Sequence, residues 1–168
     1  MVTFRLADSL PTEVVEALRR DRSLRNDAQR RKHAEAYLDA DHGACYLRDP
    51  RVGELMERAL LHFDRQRYRL LEWNVMPNHV HVLIEILSGH TLAEVLHTWK
   101  SYIAHAANRL LGRFGAFWQV EYGDRYLRDE QHYESAVRYI HGNRSPFSSA
   151  ARAGSAGVPP ACETKPGA

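Results

Sequence analysis

The chain has 168 residues and a mass of 19.3 kDa, and with 44% hydrophobic and 26% charged residues it fits one soluble globular domain with some length left for tails. No apolar run approaches the roughly 18 residues needed to cross a bilayer, and the first residues lack a basic, apolar and small-residue leader pattern, so a cytoplasmic protein with no membrane partner is expected. Two cysteines, Cys45 and Cys162, without Cys-x-x-Cys spacing exclude both a disulfide framework and a cysteine zinc site, whereas ten histidines are an unusual count.

Residues 2–6, Val-Thr-Phe-Arg-Leu, alternate apolar and polar side chains as a half-buried strand does, and the run stops near Pro11. Pro11 suits a first helical turn, and Val14, Val15 and Leu18 recur at helical spacing, predicting one amphipathic, basic helix to about Lys32. The chain's formal net charge of +2 is unevenly spread: Arg19, Arg20, Arg22, Arg25, Arg30, Arg31 and Lys32 are offset nearby only by Asp21 and Asp27. Such a run is a solvated helix face or the footprint of a phosphate backbone. Residues 33–50 carry turn signals at Asp41-His-Gly43 and Asp49-Pro50, with a short extended piece expected at Cys45-Tyr-Leu47.

From Val52, the positions Leu55, Met56, Ala59, Leu60 and Phe63 make one buried helical stripe. The period then changes. Residues 68–76 and 79–87 are rich in β-formers and joined by Met76-Pro77-Asn78, which predicts an antiparallel hairpin. Both alternate sets of residues 80–87 contain large aliphatics, so both faces of that strand should be covered. Thr91 is placed to cap a helix ending at Gly112 and carrying Leu92, Val95, Leu96, Trp99, Ile103 and Ala106 on one side. A fourth strand is expected within residues 116–127, then a helix capped by Asp129 with Tyr133, Ala136, Val137 and Ile140 inward. This order indicates an α+β sandwich. The domain is expected to span residues 1–143. Beyond it, 17 of the final 25 residues are Ala, Gly, Pro or Ser, too little bulk to offset ordering entropy, so residues 144–168 are expected to be a disordered tail.

Residues i and i+2 of a strand share a face, so His79 and His81 set two imidazoles side by side, the grip a metal needs. An isolated His-x-His is as readily a pair of core histidines, but this one opens a buried strand, where inward polar groups need a reason. Tyr139 and Asn143, at i and i+4 on the last helix, share a flank beside its apolar stripe and can face the sheet. The Asn143 amide oxygen would then offer a third ligand and Tyr139 a hydroxyl beside the metal. A phenol with a pKa of about 10 is a poor nucleophile at neutral pH, so a tyrosine beside a metal suggests phosphoryl transfer: the ion polarises a phosphodiester and a phosphotyrosine forms. That ester keeps the energy of the cut bond for rejoining strands.

These segments resemble a known family, the single-tyrosine HUH transposases, and within it the REP-associated tyrosine transposases of the IS200-like superfamily. The likeness lies in residues 2–11, Trp73-Asn-Val-Met-Pro-Asn-His-Val-His81, Trp99-Lys-Ser101, Phe117-Trp-Gln119, Asp124-Arg-Tyr-Leu-Arg128 and Arg138-Tyr-Ile-His-Gly-Asn143, in family order. The resemblance implies a ferredoxin-like (RRM-like) α+β sheet with helices on both faces, a Mg²⁺ or Mn²⁺ ion, and transposase cleavage of single-stranded DNA at hairpin-forming palindromic repeats through a 5′-phosphotyrosine. By motif match His79 and His81 are metal ligands, Asn143 the third ligand and Tyr139 the nucleophile, in a monomer or homodimer. Candidate phosphate contacts are Lys100, Arg125 and Arg128; Trp99 and Trp118 are candidate stacking surfaces, and Gln119 a further contact.

The pattern departs from the family after Asn143, where Arg144-Ser-Pro-Phe-Ser-Ser-Ala150 follows at once and about a dozen residues that would pin the helix end are missing. Two alternatives therefore stand beside the transposase reading. One is a catalytically impaired module that binds DNA hairpins; the other is an unrelated metal-dependent hydrolase in which His79 and His81 activate water and Tyr139 only packs.

Overall fold

A computed structural model describes residues 1–149 other than Arg25 and Arg144. Four antiparallel strands, β1 (Val2–Arg5), β2 (Tyr68–Val75), β3 (His79–Ile86) and β4 (Gly123–Asp124), form one sheet in the order β2-β3-β1-β4. The helices are α1 (Thr12–Arg20), α2 (Asp27–Asp39), α3 (Pro50–His62), α4 (Leu92–Leu111) and α5 (Glu130–Gly142). With β1 between β3 and β4 and a helical crossover before each outer strand, the order is that of a ferredoxin-like fold.

Strand alternation decides what each face carries. Val2 and Phe4 pair with Val82 and Val80, and Trp73 and Val75 with the same two valines, so these side chains share a face. They join Met56 and Leu60 of α3 and Leu96, Trp99 and Ile103 of α4 in the hydrophobic core. Each such buried side chain contributes about 1.5–3 kcal/mol. The opposite face carries Thr3, Arg5, Asn74, His79 and His81, a polar set beneath α2 and α5. The aliphatic composition of β3 thus reports a strand covered on both sides, as expected.

Several local expectations hold residue by residue. Thr91 caps α4 in a reciprocal box with Glu94, and Gly112 ends it at φ 61°, a left-handed conformation that glycine adopts without steric cost. Asp49 and Asp129 cap α3 and α5. Other expectations are corrected. The first helix is two helices, because Asp21 accepts hydrogen bonds from the Ser23 amide and hydroxyl and Asn26 caps a fresh start through the Gln29 amide. Cys45 lies at φ 50° and leads into a single 3-10 turn, Tyr46–Arg48, in place of an extended piece. The fourth strand shrinks to two residues and a bridge between Leu6 and Trp118, and between the two the Lys100 ammonium takes the Gln119 and Val120 carbonyls.

The expected tail also begins differently. Residues 145–149 form a strap along the outer edge of β2: Ser148 bridges Asn74, the Val75 amide donates to the Phe147 carbonyl, and the Ser145 hydroxyl donates to the Val75 carbonyl. The Ser149 hydroxyl donates to Glu72. The rest of the expected tail, 150–168, lies outside the described residues. Among the described residues no helix is long and apolar enough to cross a membrane.

Candidate active site

The hairpin delivers both imidazoles to the polar face of the sheet, fully buried. Their Nε2 atoms face each other at 2.9 Å. Asn78, also fully buried, fixes the first ring: its Nδ2 donates to the Leu38 and His42 carbonyls at 3.0 and 2.9 Å, so Oδ1 is the atom that meets His79 Nδ1 at 2.6 Å. Because that oxygen only accepts, His79 Nδ1 carries the proton and His79 Nε2 presents its lone pair. His81 Nδ1 lies 2.9 Å from the Thr3 hydroxyl, which can donate or accept and so permits either tautomer of His81. Burial holds both rings neutral: it pulls His81 down to about 4 and, with the neighbouring His81, His79 well below the ordinary value. Neutral imidazoles are the form that binds metals.

The same Asn78 amide grips the last turn of α2 and thereby sets Asp39 against the pair. Asp39 Oδ1 is 3.5 Å from His79 Nε2, and among the described residues Asp39, His79 and His81 bring one donor atom each within 4.8 Å of one another. Partial burial and nearby Asp41 raise the Asp39 carboxyl pKa.

Helix α5 crosses above, its buried Ala136 and Ile140 against the sheet. The Tyr139 ring stands edge-on to His81 with centroids 5.0 Å apart and no hydrocarbon layer between them. Its hydroxyl is buried without a hydrogen bond of acceptable geometry, although Asp39 and Asn143 are its polar neighbours. Burial raises the phenol pKa, and the Asp39 and Glu35 charges raise it further. Asn143 caps the helix; its carbonyl accepts from Asn74 Nδ2, while its own Nδ2 is buried and unpartnered. Tyr139 Oη, buried and unpartnered, thus lies beside the Asp39 carboxylate on a ring packed against His81, with the Asn143 amide as a neighbour. Buried polar atoms without partners are costly, and a divalent ion with a phosphate ligand fits this donor set.

The remaining sequence candidates fall elsewhere. Trp99 is in the core on the far face of the sheet, stacked near Phe4, with its indole N–H donated to the Tyr68 hydroxyl at 3.0 Å. Trp118 packs edge-on to Phe4 and Phe117 and is 7% exposed. Neither indole offers a stacking surface, because the apolar stripe and strand face that carry them point away from the histidines. Lys100 is half-buried, clipping two backbone carbonyls, and the Gln119 amide donates to the Arg5 carbonyl. Arg125 is exposed and lines a cavity whose walls include Tyr139; Arg128 is exposed just before α5. Sequence reasoning missed Asp39, Asn78 and Thr3. In sequence Asn78 reads as turn chemistry and Thr3 as a polar position of an alternating strand, while nothing local marks Asp39.

Strand order 2-3-1-4, paired strand histidines and a late helix carrying tyrosine across them define the α+β HUH class of folds. Residues 48–143 match the family model described as transposase, IS200-like, and the chain belongs to that family. Among solved structures, the fold is similar to a REP-associated tyrosine transposase bound to a REP hairpin, with 19% identity, a TM-score of 0.55, and coverage of 95% of this chain and 80% of that one. A Deinococcus radiodurans R1 protein provisionally assigned as a transposase aligns at 14% identity and a TM-score of 0.40 over 86% of this chain and 88% of that one. No curated protein sequence matches.

Proposed function

We propose that this transposase-family chain is a metal-dependent endonuclease and strand transferase that cuts and rejoins single-stranded DNA at hairpin-forming repeats, using Tyr139 as nucleophile. The observation that carries the reading is the buried, unbonded Tyr139 hydroxyl on a ring packed 5.0 Å from His81, next to His79 and Asp39. The relative bound to a REP hairpin supplies the substrate class.

His79, His81 and Asp39 would hold a Mg²⁺ or Mn²⁺ ion, and Asn143 would complete the set by turning its amide oxygen inward. When bound, such an ion supplies Lewis-acid polarisation of a non-bridging phosphate oxygen. The chain's own residues supply the rest. Helix α5 aims the phenol oxygen for in-line attack at phosphorus, forming the phosphotyrosine bond as the bond to the 3′-oxygen breaks. The Asp39 oxygen not committed to the ion accepts the phenolic proton, and a solvent water protonates the departing 3′-oxygen, which leaves as a hydroxyl. The raised phenol pKa keeps Tyr139 protonated until substrate arrives, which limits idle reactivity. Reversal by a free 3′-hydroxyl rejoins strands without a nucleotide cofactor.

The test is incubation with labelled single-stranded hairpin DNA and Mn²⁺ or Mg²⁺, followed by a denaturing gel. A protein-linked fragment, absent in Tyr139→Phe, is expected. Hairpin binding without an adduct would establish instead the impaired binding module, and cleavage that survives Tyr139→Phe would establish a water-activating hydrolase.

A further inference from the structure

The two flanks of the histidine pair differ. Towards β2 the space is filled by the end of α5, where Asn74 Nδ2 donates to the Ile140 and Asn143 carbonyls, and by the 145–149 strap. Towards β1 and β4 lies a cavity of about 510 Å³ whose walls include Thr3 and Arg5 of β1, Lys32 of α2, Arg125 after β4, and Tyr139. Glu35 and Asp124 are the acids in its wall, leaving three cationic side chains over two carboxylates.

Arg5 is the informative member. It pairs in register with His79, so its side chain leaves the sheet on the histidine face, half-buried. Its guanidinium makes no hydrogen bond or ion pair among the described residues; Glu121 is the one acid that acts on it, and burial outweighs that attraction, lowering its pKa. A partly desolvated guanidinium fork without an oxygen partner is matched by a phosphate. The rim adds a second feature. Val120, Tyr122 and Tyr126 are exposed large hydrophobics, and the two tyrosines flank in sequence the cavity-lining residues 123–125, with Tyr126 89% exposed.

We propose that this cavity is the track by which the single strand reaches Tyr139, with Arg5 holding a backbone phosphate on the β1 side and Tyr126 stacking an unpaired base at the mouth. The inference deepens the nuclease reading and rests on it for the strand's destination. It reassigns the stacking role from the core tryptophans to tyrosines on the β4 rim. It also fixes the direction of approach, from the β4 edge beneath α2 and away from the strap.

Binding of an oligothymidylate of about twelve nucleotides, read by fluorescence anisotropy in EDTA across a salt series, tests it without cleavage. Arg5→Gln should bind roughly tenfold more weakly, with a salt slope shallower by about 0.7 for the lost phosphate contact. Arg5→Lys should keep most of the slope, and Tyr126→Ala should weaken binding about tenfold with the slope unchanged. As a control that leaves the protein unaltered, an oligonucleotide with uncharged methylphosphonate linkages should reproduce the loss in wild type. Wild-type affinity and slope in Arg5→Gln, or no effect of methylphosphonates on wild type, would overturn the track. If Arg5→Gln and Tyr126→Ala bind like wild type while a Tyr139 adduct forms, this inference alone falls; if Arg5 governs binding but no adduct ever forms, the nuclease reading falls and the track stands.

Discussion

Removing the Asn78 carboxamide should damage both folding and ion binding, and the size of each effect follows from its three bonds. Asn78→Ala deletes donations to the Leu38 and His42 carbonyls and the acceptor for His79 Nδ1, all at a fully buried position. Leaving a buried group unsatisfied costs about 1–3 kcal/mol, and carbonyls with a second lone pair sit at the lower end. The expected loss is thus about 3–5 kcal/mol, a large share of the roughly 5–15 kcal/mol that holds a domain together. Urea denaturation should show a lowered midpoint with an unchanged slope. Asn78→Asp keeps the shape and the acceptor, but turns an oxygen toward two carbonyls and removes both donations. It should fold more weakly than wild type and bind Mn²⁺ about 10–100-fold less tightly by calorimetry, since Asp39 loses its tether while His79 keeps its tautomer. A loss below about 1 kcal/mol in Asn78→Ala, with Mn²⁺ affinity intact in Asn78→Asp, would refute the claim that one amide sets both donors.

Stability should also fall on acidification. His81 has a folded pKa of about 4 against an ordinary value near 6.5, so the unfolded chain binds more protons between those limits and stability drops with pH, by about 2 kcal/mol from pH 7 to pH 5; a flat profile in chemical denaturation would contradict the buried neutral pair. Tyr139→Phe removes a buried hydroxyl that has no hydrogen bond, so thermal melting should be unchanged or raised by up to about 1 kcal/mol of stability while the covalent adduct disappears; marked destabilisation would show that the hydroxyl is bonded. A Cβ at Gly53 would collide with the Phe147 ring, so Gly53→Ala should push the strap outward at about 1–3 kcal/mol. Hydrogen exchange at the Val75 amide, which donates to Phe147, should accelerate in that variant and not in an exposed-helix alanine control.

Local signals carried most of the fold. The hairpin, the capping box at Thr91, the glycine stop at residue 112 and the stripe of α5 are encoded within a few residues of where they act. The break between α1 and α2 was written just as locally, in Asp21, Ser23 and Asn26, but helical periodicity on either side masked it. The shortness of β4 is not legible, because the chain ahead of it is held from twenty residues away, by Lys100 on the Gln119 and Val120 carbonyls. The same distinction governs the site. His79 with His81, and Tyr139 with Asn143, are pairs fixed by strand and helix periods. Asp39 joins them through an amide forty residues distant in sequence, and Trp99 and Trp118, candidates for stacking, are claimed by packing in the core.

An exposed sheet rim is an open template on which foreign backbone can add itself strand by strand. Here the chain lays its own residues 145–149 over the β2 rim, so the carbonyl of Phe147 and the bridge at Ser148 already occupy sites a neighbour would need. Continuous sheets between copies through that rim require the covering to be peeled away first. Residues 145–149 therefore insulate the Glu72–Val75 end of that rim from self-addition.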